Sequence, residues 1–166
     1  HPINFYGSTK LEAENFLIGS NRKSLIIRLN GLYSSNLLYN NFFSWIYFQL
    51  KNNKKIRVVY DQISNPTLID LMPDIIIKSI LLDACGIFHY GSSNFLSRYE
   101  FALDVCKIFK FKTELIEKIS TKELNQLAKR PFNTSLKTGK IEEVLGINTL
   151  DTNFCINLIK NKLNQV

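Results

Sequence analysis

The chain has 166 residues, 45% of them hydrophobic, which is enough for one ordinary domain with a core that needs no disulfide staples. Its net charge of +7 comes from 21 basic against 14 acidic residues, scattered as KNNKK, KIFKFK and KNK with no aromatic-interleaved basic stripe, so nucleic-acid binding is not expected. The longest apolar run, residues 37–50, is broken by Asn40, Asn41 and Ser44 and falls short of a membrane span, which takes about 20 residues.

Cys85, Cys106 and Cys155 have no CxxC spacing and no neighbouring His/Asp cluster. They read as reduced, mostly packed thiols, as in a cytoplasmic protein. No metal site is expected: of the two histidines one is His1 and the other, His89, sits in an apolar strand where packing is the simpler role.

In chain order, residues 8–18 read as a helix, with Leu11, Phe16 and Ile18 as apolar contacts and Lys10 and Glu14 as an i,i+4 pair. Gly19-Ser20-Asn21 ends it. SLIIRL, residues 24–29, is a short branched run of the kind found in buried parallel strands. Arg28 at its end suits either a core-edge salt bridge or a site. NGLY, residues 30–33, follows as a strand-end loop, and residues 40–51 form a helix with aromatics on two sides, as if covered twice. KIRVVYD, residues 55–61, is the next strand, followed by a polar turn to Pro66, a short pairing segment to Ile69, and a helix over 71–83 with Pro73 in its first turn and Asp70 as a candidate cap. IFHY, residues 87–90, is a strand. Ser97 and Glu100 form a capping box before a helix with Ala102, Val105, Cys106 and Phe109 inward. ELIEKI, residues 114–119, is a strand, and Ser120 and Glu123 cap a helix to about Ala128. An extended connector over 130–136, a short helix closed by Gly146 and a last helix over 151–163 complete the chain. Strands and helices alternate throughout, so the class is α/β with mainly parallel pairing.

Tyr6 and Lys10 are the chemically pointed pair. At i and i+4 they share a helix face. A free phenol is a weak acid, with a pKa near 10, and an adjacent ammonium favours its phenolate and eases proton exchange. Such a pair can protonate a developing alkoxide when a hydride donor lies opposite. The YxxxK spacing by itself is common, and a surface helix is its plain reading.

The order of segments is more specific. YGSTKLEAE (6–14), NGLY (30–33), DQISNPT (61–67), IFHYGS (87–92), LSRYEFA (96–102) and RPFNTSL (130–136) together resemble the carboxy-terminal part of the dTDP-4-dehydrorhamnose reductases, members of the extended short-chain dehydrogenase/reductase family. The regulatory beta subunit of methionine adenosyltransferase is a relative within the same group. The resemblance implies a Rossmann-like α/β fold with late parallel strands plus a small substrate-binding subdomain. It implies that residues 1–60 and 71–92 complete a dinucleotide-binding fold, and that 30–54 and 93–145 contribute the substrate region of one fragment spanning 1–166. Tyr6 resembles the tyrosine that protonates the C4 oxygen as hydride arrives, and Lys10 the lysine that assists it and holds the nicotinamide ribose. Asn30, Gly31 and Leu32 fall where the family places a loop beside the nicotinamide; the reductases often have Ser-Trp-Val-Tyr where this chain has Asn-Gly-Leu-Tyr. Asn41, Phe42 and Trp45, then Gln62, Pro66 and Thr67, then Arg130 and Asn133 fall on segments near the nucleotide sugar.

No GxGxxG or GxxGxxG occurs, and no acidic residue follows such a turn to take a ribose. The sequence therefore reads as the second half of an NAD- or NADP-dependent reductase of a dTDP-linked or other nucleotide sugar, with the Rossmann half absent and the fragment inactive alone. An exposed sheet edge would invite pairing, including a homodimer. A non-catalytic regulatory subunit and a sugar-nucleotide epimerase or dehydratase are the alternative readings.

Overall fold

The computed structural model describes residues 1–20 and 22–165; Asn21 of the predicted turn lies outside them. The elements run α1 (Phe5–Gly19), β1 (Leu25–Arg28), α2 (Phe42–Lys51), β2 (Ile56–Val59), β3 (Ile63–Ser64), α3 (Met72–Leu81), β4 (Gly86–His89), β5 (Leu96–Ser97), α4 (Arg98–Phe109), β6 (Ile116–Ile119), α5 (Thr121–Leu124), α6 (Gly139–Leu145) and α7 (Thr152–Leu163). Single 3-10 turns at Ile69–Leu71 and Thr113–Leu115 lead into α3 and β6.

The strands form three pairs among the described residues. β1 and β4 are parallel, with Leu25 opposite Gly86 and Arg28 opposite His89. β2 and β6 are parallel, with Ile56 opposite Ile116. The two-residue β3 and β5 run antiparallel; β3 lies in the segment that the sequence reads as a polar turn, and β5 ends on the serine that it reads as a helix cap. Parallel strands require helical crossovers, and the chain supplies one between each pair's members.

Local chemistry fixes the helix starts. Ser97 Oγ accepts from Glu100 N at 3.1 Å while Glu100 Oε2 accepts from Ser97 N at 2.7 Å, a closed capping box. Ser120 and Glu123 repeat it. α2 carries a third box: Asn41 Oδ1 accepts from Ser44 N, and Ser44 Oγ accepts from Asn41 N, at 3.1 and 3.0 Å. Asp70 does not cap α3. It accepts from Ser35 N at 3.0 Å and pairs with Lys162 at 3.2 Å, tying the 33–36 loop to α7. α5 stops at Leu124 because Asn125 turns into the left-handed region at φ 51°.

Two hydrophobic clusters hold the fold. The larger joins α2, β2, α4, β6 and α7 through Phe43, Ile46, Ile56, Val105, Ile116 and Ile156. The smaller joins β4, α3 and α6 through Met72, Ile75, Phe88, Tyr90, Ile141 and Leu145. Thus β2 packs with the helices assigned from sequence to the substrate region, and α6 packs on the β1–β4 side. α2 is covered once: Phe43, Ile46 and Leu50 are buried, while Trp45 and Phe48 face outward.

The loops between the clusters meet at Asn65, which is fully buried. Its Oδ1 accepts from Leu136 N at 2.9 Å and from Asn30 Nδ2 at 3.3 Å. Its Nδ2 donates to Leu136 O at 3.0 Å and Ser92 O at 3.1 Å. A side chain on Gly91 would bring its Cβ to 2.6 Å from Asn65 O, so the backbone approach there requires glycine. One amide thus joins the segments NGLY, DQISNPT, HYGS and RPFNTSL.

α1 is attached differently. None of its residues is buried, and the expected apolar contacts of Leu11, Phe16 and Ile18 are not made: all three face solvent. Polar clips hold it. Asn4 caps its start through Gly7 N at 2.9 Å and donates to Lys129 O at 3.0 Å. Glu14 pairs not with Lys10 but with Arg28, in a two-point contact of 2.9 and 2.5 Å. His89 Nε2 lies 3.5 Å from the same guanidinium. Arg28 is therefore a salt-bridge residue at the strand end.

Two outcomes follow from these contacts. Asn65→Ala strips partners from three backbone groups at a buried site and is expected to cost on the order of 3 kcal/mol in urea unfolding, whereas a loss below about 1 kcal/mol would show that the loops do not depend on it. Acid is expected to destabilise the chain in two stages. Burial, reinforced by the charge of Arg28, holds His89 below its ordinary value of 6.5. The folded state therefore resists a proton that the unfolded state accepts, and stability falls as pH drops below that value. The hydrogen bond from Arg28 lowers Glu14, and bonds from Thr149 lower Glu142, both from 4.5, so a second loss begins below that pH. Thermal midpoints recorded from pH 8 to pH 3 check both stages; a midpoint that rises on acidification would contradict them.

Candidate functional site

A cleft of about 250 Å³ opens where NGLY, the start of α2, DQISNPT and the start of α4 converge. Its apolar wall is aromatic: Tyr33 meets Phe101 edge-on at 5.1 Å, and Phe42 lies 5.7 Å from Phe101. Gly31, Leu32 and Pro66 also line it, and Ser64 and Ser97 contribute hydroxyls. Gly31 has φ +52°, and a Cβ there would sit 3.2 Å from Pro66 Cα; the close approach of the two loops rests on glycine. Aromatic faces beside hydroxyls and a cation suit a ligand with a planar base or sugar ring and polar edges.

The cation is Arg98, the first residue of α4. Its guanidinium lies 4.8 Å from the centre of the Phe42 ring, and Phe42 in turn stacks on Trp45 at 5.8 Å and 18°. Burial, and then the charge of Arg130, lower its pKa from the ordinary arginine value. In the sequence LSRYEFA serves as a helix start and as one segment of the family resemblance, and neither singles out Arg98. The available signal is a cation directly after a capping serine, on a segment that borders the DQxxxPT loop.

Four of the sequence-predicted residues, Gly31, Leu32, Phe42 and Pro66, line this cleft. The others do different things. Asn41 is spent on capping α2 and on Tyr39 O. Gln62 is buried and donates to Thr121 Oγ1 at 3.0 Å and Gln126 Oε1 at 2.9 Å, facing α5. Thr67 is buried, donating to Tyr90 O at 3.3 Å. Trp45 backs Phe42 from the outside. Asn133 Oδ1 accepts from Ser135 N at 2.9 Å and shapes the connector. Arg130 is exposed on that connector. Asn30 donates to Thr134 O and Asn65 Oδ1, yet its own Oδ1 is buried without a partner, as is Ser135 Oγ. Buried oxygens of this kind usually have one.

Tyr6 and Lys10 share a face of α1, with Lys10 Nζ 5.4 Å from the centre of the Tyr6 ring. Tyr6 is 68% exposed, and neither residue lines the cleft. Their link to it runs through Asn4, which holds Lys129 O at the head of the connector, and through Thr134 O, which holds Asn30. Cys106 and Cys155 are buried thiols, both pushed up to about 11 by burial, whereas Cys85 is exposed, against the packed role expected for it. Among the described residues no cluster of three or more His, Cys, Asp or Glu could hold a metal ion, and no helix is long and apolar enough to cross a membrane.

Comparison with known proteins agrees with this layout. The family described as the RmlD substrate binding domain matches residues 1–159. The dTDP-4-dehydrorhamnose reductase of Aggregatibacter actinomycetemcomitans is 31% identical over 165 residues, covering 91% of this chain and 54% of that protein. The methionine adenosyltransferase 2 subunit beta of Xenopus laevis is 23% identical, over 87% of this chain and 45% of its own length. The dTDP-4-dehydrorhamnose reductase of Bacillus anthracis, solved in complex with NADP, superposes with a TM-score of 0.89 at 26% identity, over 98% of this chain and 57% of that one. The enzyme from Clostridium acetobutylicum gives 0.88 at 27% identity, over 99% and 57%. This chain thus spans about half the length of the relatives it matches, and its fold is that of the carboxy-terminal part of a Rossmann-like extended short-chain dehydrogenase/reductase. On the match over residues 1–159, the chain belongs to the RmlD substrate-binding-domain family.

Proposed function

We propose that the chain is the substrate-binding half of an NAD(P)H-dependent reductase of 4-keto sugar nucleotides, with dTDP-4-dehydrorhamnose as substrate and dTDP-rhamnose as product. The observation that carries this reading is the Tyr6–Lys10 pair on one helix face, clipped by Asn4 to the head of the connector whose Thr134 accepts from Asn30, next to Gly31 of the cleft.

The residues fit the nicotinamide end of a dinucleotide and not its phosphates. Asn30 Oδ1 is a buried acceptor without a donor beside Gly31, and a ribose or carboxamide of the cofactor offers one. Glycine-rich turns that could cradle a pyrophosphate do not occur in the chain. When bound, the cofactor supplies hydride. The chain's own groups do the rest. The cleft, with Phe42, Pro66 and Arg98 on its walls, holds the nucleotide sugar and limits water at the carbonyl. Tyr6 delivers its phenolic proton to the C4 oxygen as negative charge develops there. Lys10, an ammonium on the same face, stabilises the phenolate that remains and binds a ribose hydroxyl. β1, α3 and β4 belong on this reading to the dinucleotide-binding layer, and the cluster around α2 and α4 to the substrate region. The remaining predicted residues act through position: Asn41 and Trp45 by setting Phe42, Gln62, Thr67 and Asn133 by setting the loops, and Arg130 by its charge. The protein works in the cytoplasm, and its exposed apolar side chains suit a homodimer.

A second reading, a non-catalytic regulatory subunit, is favoured by the Asn-Gly-Leu-Tyr loop and by the likeness to the methionine adenosyltransferase beta subunit. Turnover separates the two. In the assembled reductase Tyr6→Phe is expected to lower kcat by about 100-fold or more while leaving the Kd for substrate within about twofold. Unchanged turnover in the variant would remove Tyr6 from the chemistry. The 166-residue chain alone is expected to bind NADPH too weakly for a micromolar Kd in calorimetry; micromolar binding would place a phosphate cradle within these residues.

A further inference from the structure

Four ion pairs occur among the described residues: Lys23–Asp83, Arg28–Glu14, Arg57–Glu117 and Lys162–Asp70. Arg98 is in none of them, although it is half-buried and lines the cleft. The acids of the neighbouring segments are otherwise engaged. Glu100, two residues on, folds back to accept from Ser97 N. Asp61, at the start of DQISNPT, accepts from Thr121 N at 2.9 Å and Thr121 Oγ1 at 2.7 Å. Arg98 also makes no side-chain hydrogen bond within the described residues; what holds it is the face of Phe42, at 4.8 Å. A guanidinium removed from water with no carboxylate, and with a second arginine close enough to depress its protonation, is costly unless an anion completes the site. An aromatic plate under the guanidinium leaves its N–H edge free for planar, two-point recognition of oxyanions.

We propose that Arg98, seated on Phe42, is the anchor for the diphosphate of the nucleotide sugar, with Arg130 adding charge from the connector. The anchor rests on the reading of the cleft as a nucleotide-sugar site and assigns which group of the ligand fixes its register there. It also assigns binding and proton transfer to different elements: Arg98 of α4, on Phe42 of α2, for the diphosphate, and Tyr6 of α1 for the proton.

Calorimetric titration of the 166-residue chain with inorganic pyrophosphate, dTDP and thymidine tests the assignment. Pyrophosphate and dTDP are expected to bind, thymidine at least tenfold more weakly than dTDP, and affinity for both anions to fall with added salt. Arg98→Gln is expected to weaken dTDP and pyrophosphate at least tenfold with the thermal midpoint of the ligand-free chain unchanged or raised, Arg98→Lys to recover part of the loss, and Phe42→Leu to weaken dTDP while leaving the charge in place. No binding of either anion to the parent chain, or equal dTDP affinity in Arg98→Gln, would overturn the anchor. Should Arg98-dependent pyrophosphate binding hold while the assembled protein fails to reduce 4-keto sugar nucleotides, the anchor stands and the reductase reading falls. Should turnover be intact but dTDP affinity ignore Arg98, the reverse applies.

Discussion

The carboxamide of Asn65 satisfies all of its hydrogen-bonding capacity at once, and the arrangement of the cleft depends on it. Four segments that lie largely outside helices and sheets must be brought together between two separate hydrophobic clusters. Backbone polar groups at such a junction have no sheet or helix to pair with, and leaving them dry would be costly. One buried amide offers two donors and two acceptor positions, which is what Leu136, Ser92 and Asn30 require. Around it the backbones come close enough that Gly91 admits no side chain, and Gly31 rests against Pro66. The cleft is thus a consequence of loop hydrogen bonding, and the aromatic side chains of α2 and α4 give it a wall.

The helix that carries Tyr6 and Lys10 obeys a different constraint. It contributes nothing to either hydrophobic cluster and is held by Asn4 at one end and Glu14 at the other. Polar clips fix position more than they add stability, since a part-exposed pair contributes about 1 kcal/mol or less. Phe5 and Phe16 remain on its surface, 84% and 78% exposed, and α3 likewise presents Ile80 and Leu81.

Much of the fold was legible because local rules and tertiary packing agree. SLIIRL and IFHY are too apolar and too short to be anything but inner strands, and they pair. The serines of two capping boxes mark α4 and α5 to the residue. Legibility fails where an interaction spans long sequence distances. Glu14 has a lysine at the proper helical spacing, yet a guanidinium from β1 outcompetes it with two-point geometry. Asp70 has the position of a cap and serves Ser35 instead. In the site, motif resemblance picks out loops that meet at the cleft, and Gly31, Leu32, Phe42 and Pro66 among its residues line it. Gln62 and Thr67 sit in DQISNPT and face inward to hold it, whereas Asn65 between them does the joining. Arg98 is invisible to periodicity because its role depends on Phe42, 56 positions earlier in the chain and adjacent only after folding.

On the proposed reading, this chain presents a 4-keto sugar nucleotide to a hydride donor with Tyr6 as the proton source. The most direct measurement is transfer of deuterium from NADPH labelled at the reactive nicotinamide carbon, using the assembled reductase and dTDP-4-dehydrorhamnose, with the product read by mass spectrometry and NMR. One deuterium is expected at C4 of dTDP-rhamnose, with almost no labelled product formed over the same time when Tyr6 is replaced by phenylalanine. A product without label, label at another carbon, or full transfer in the Tyr6→Phe protein would contradict that reading.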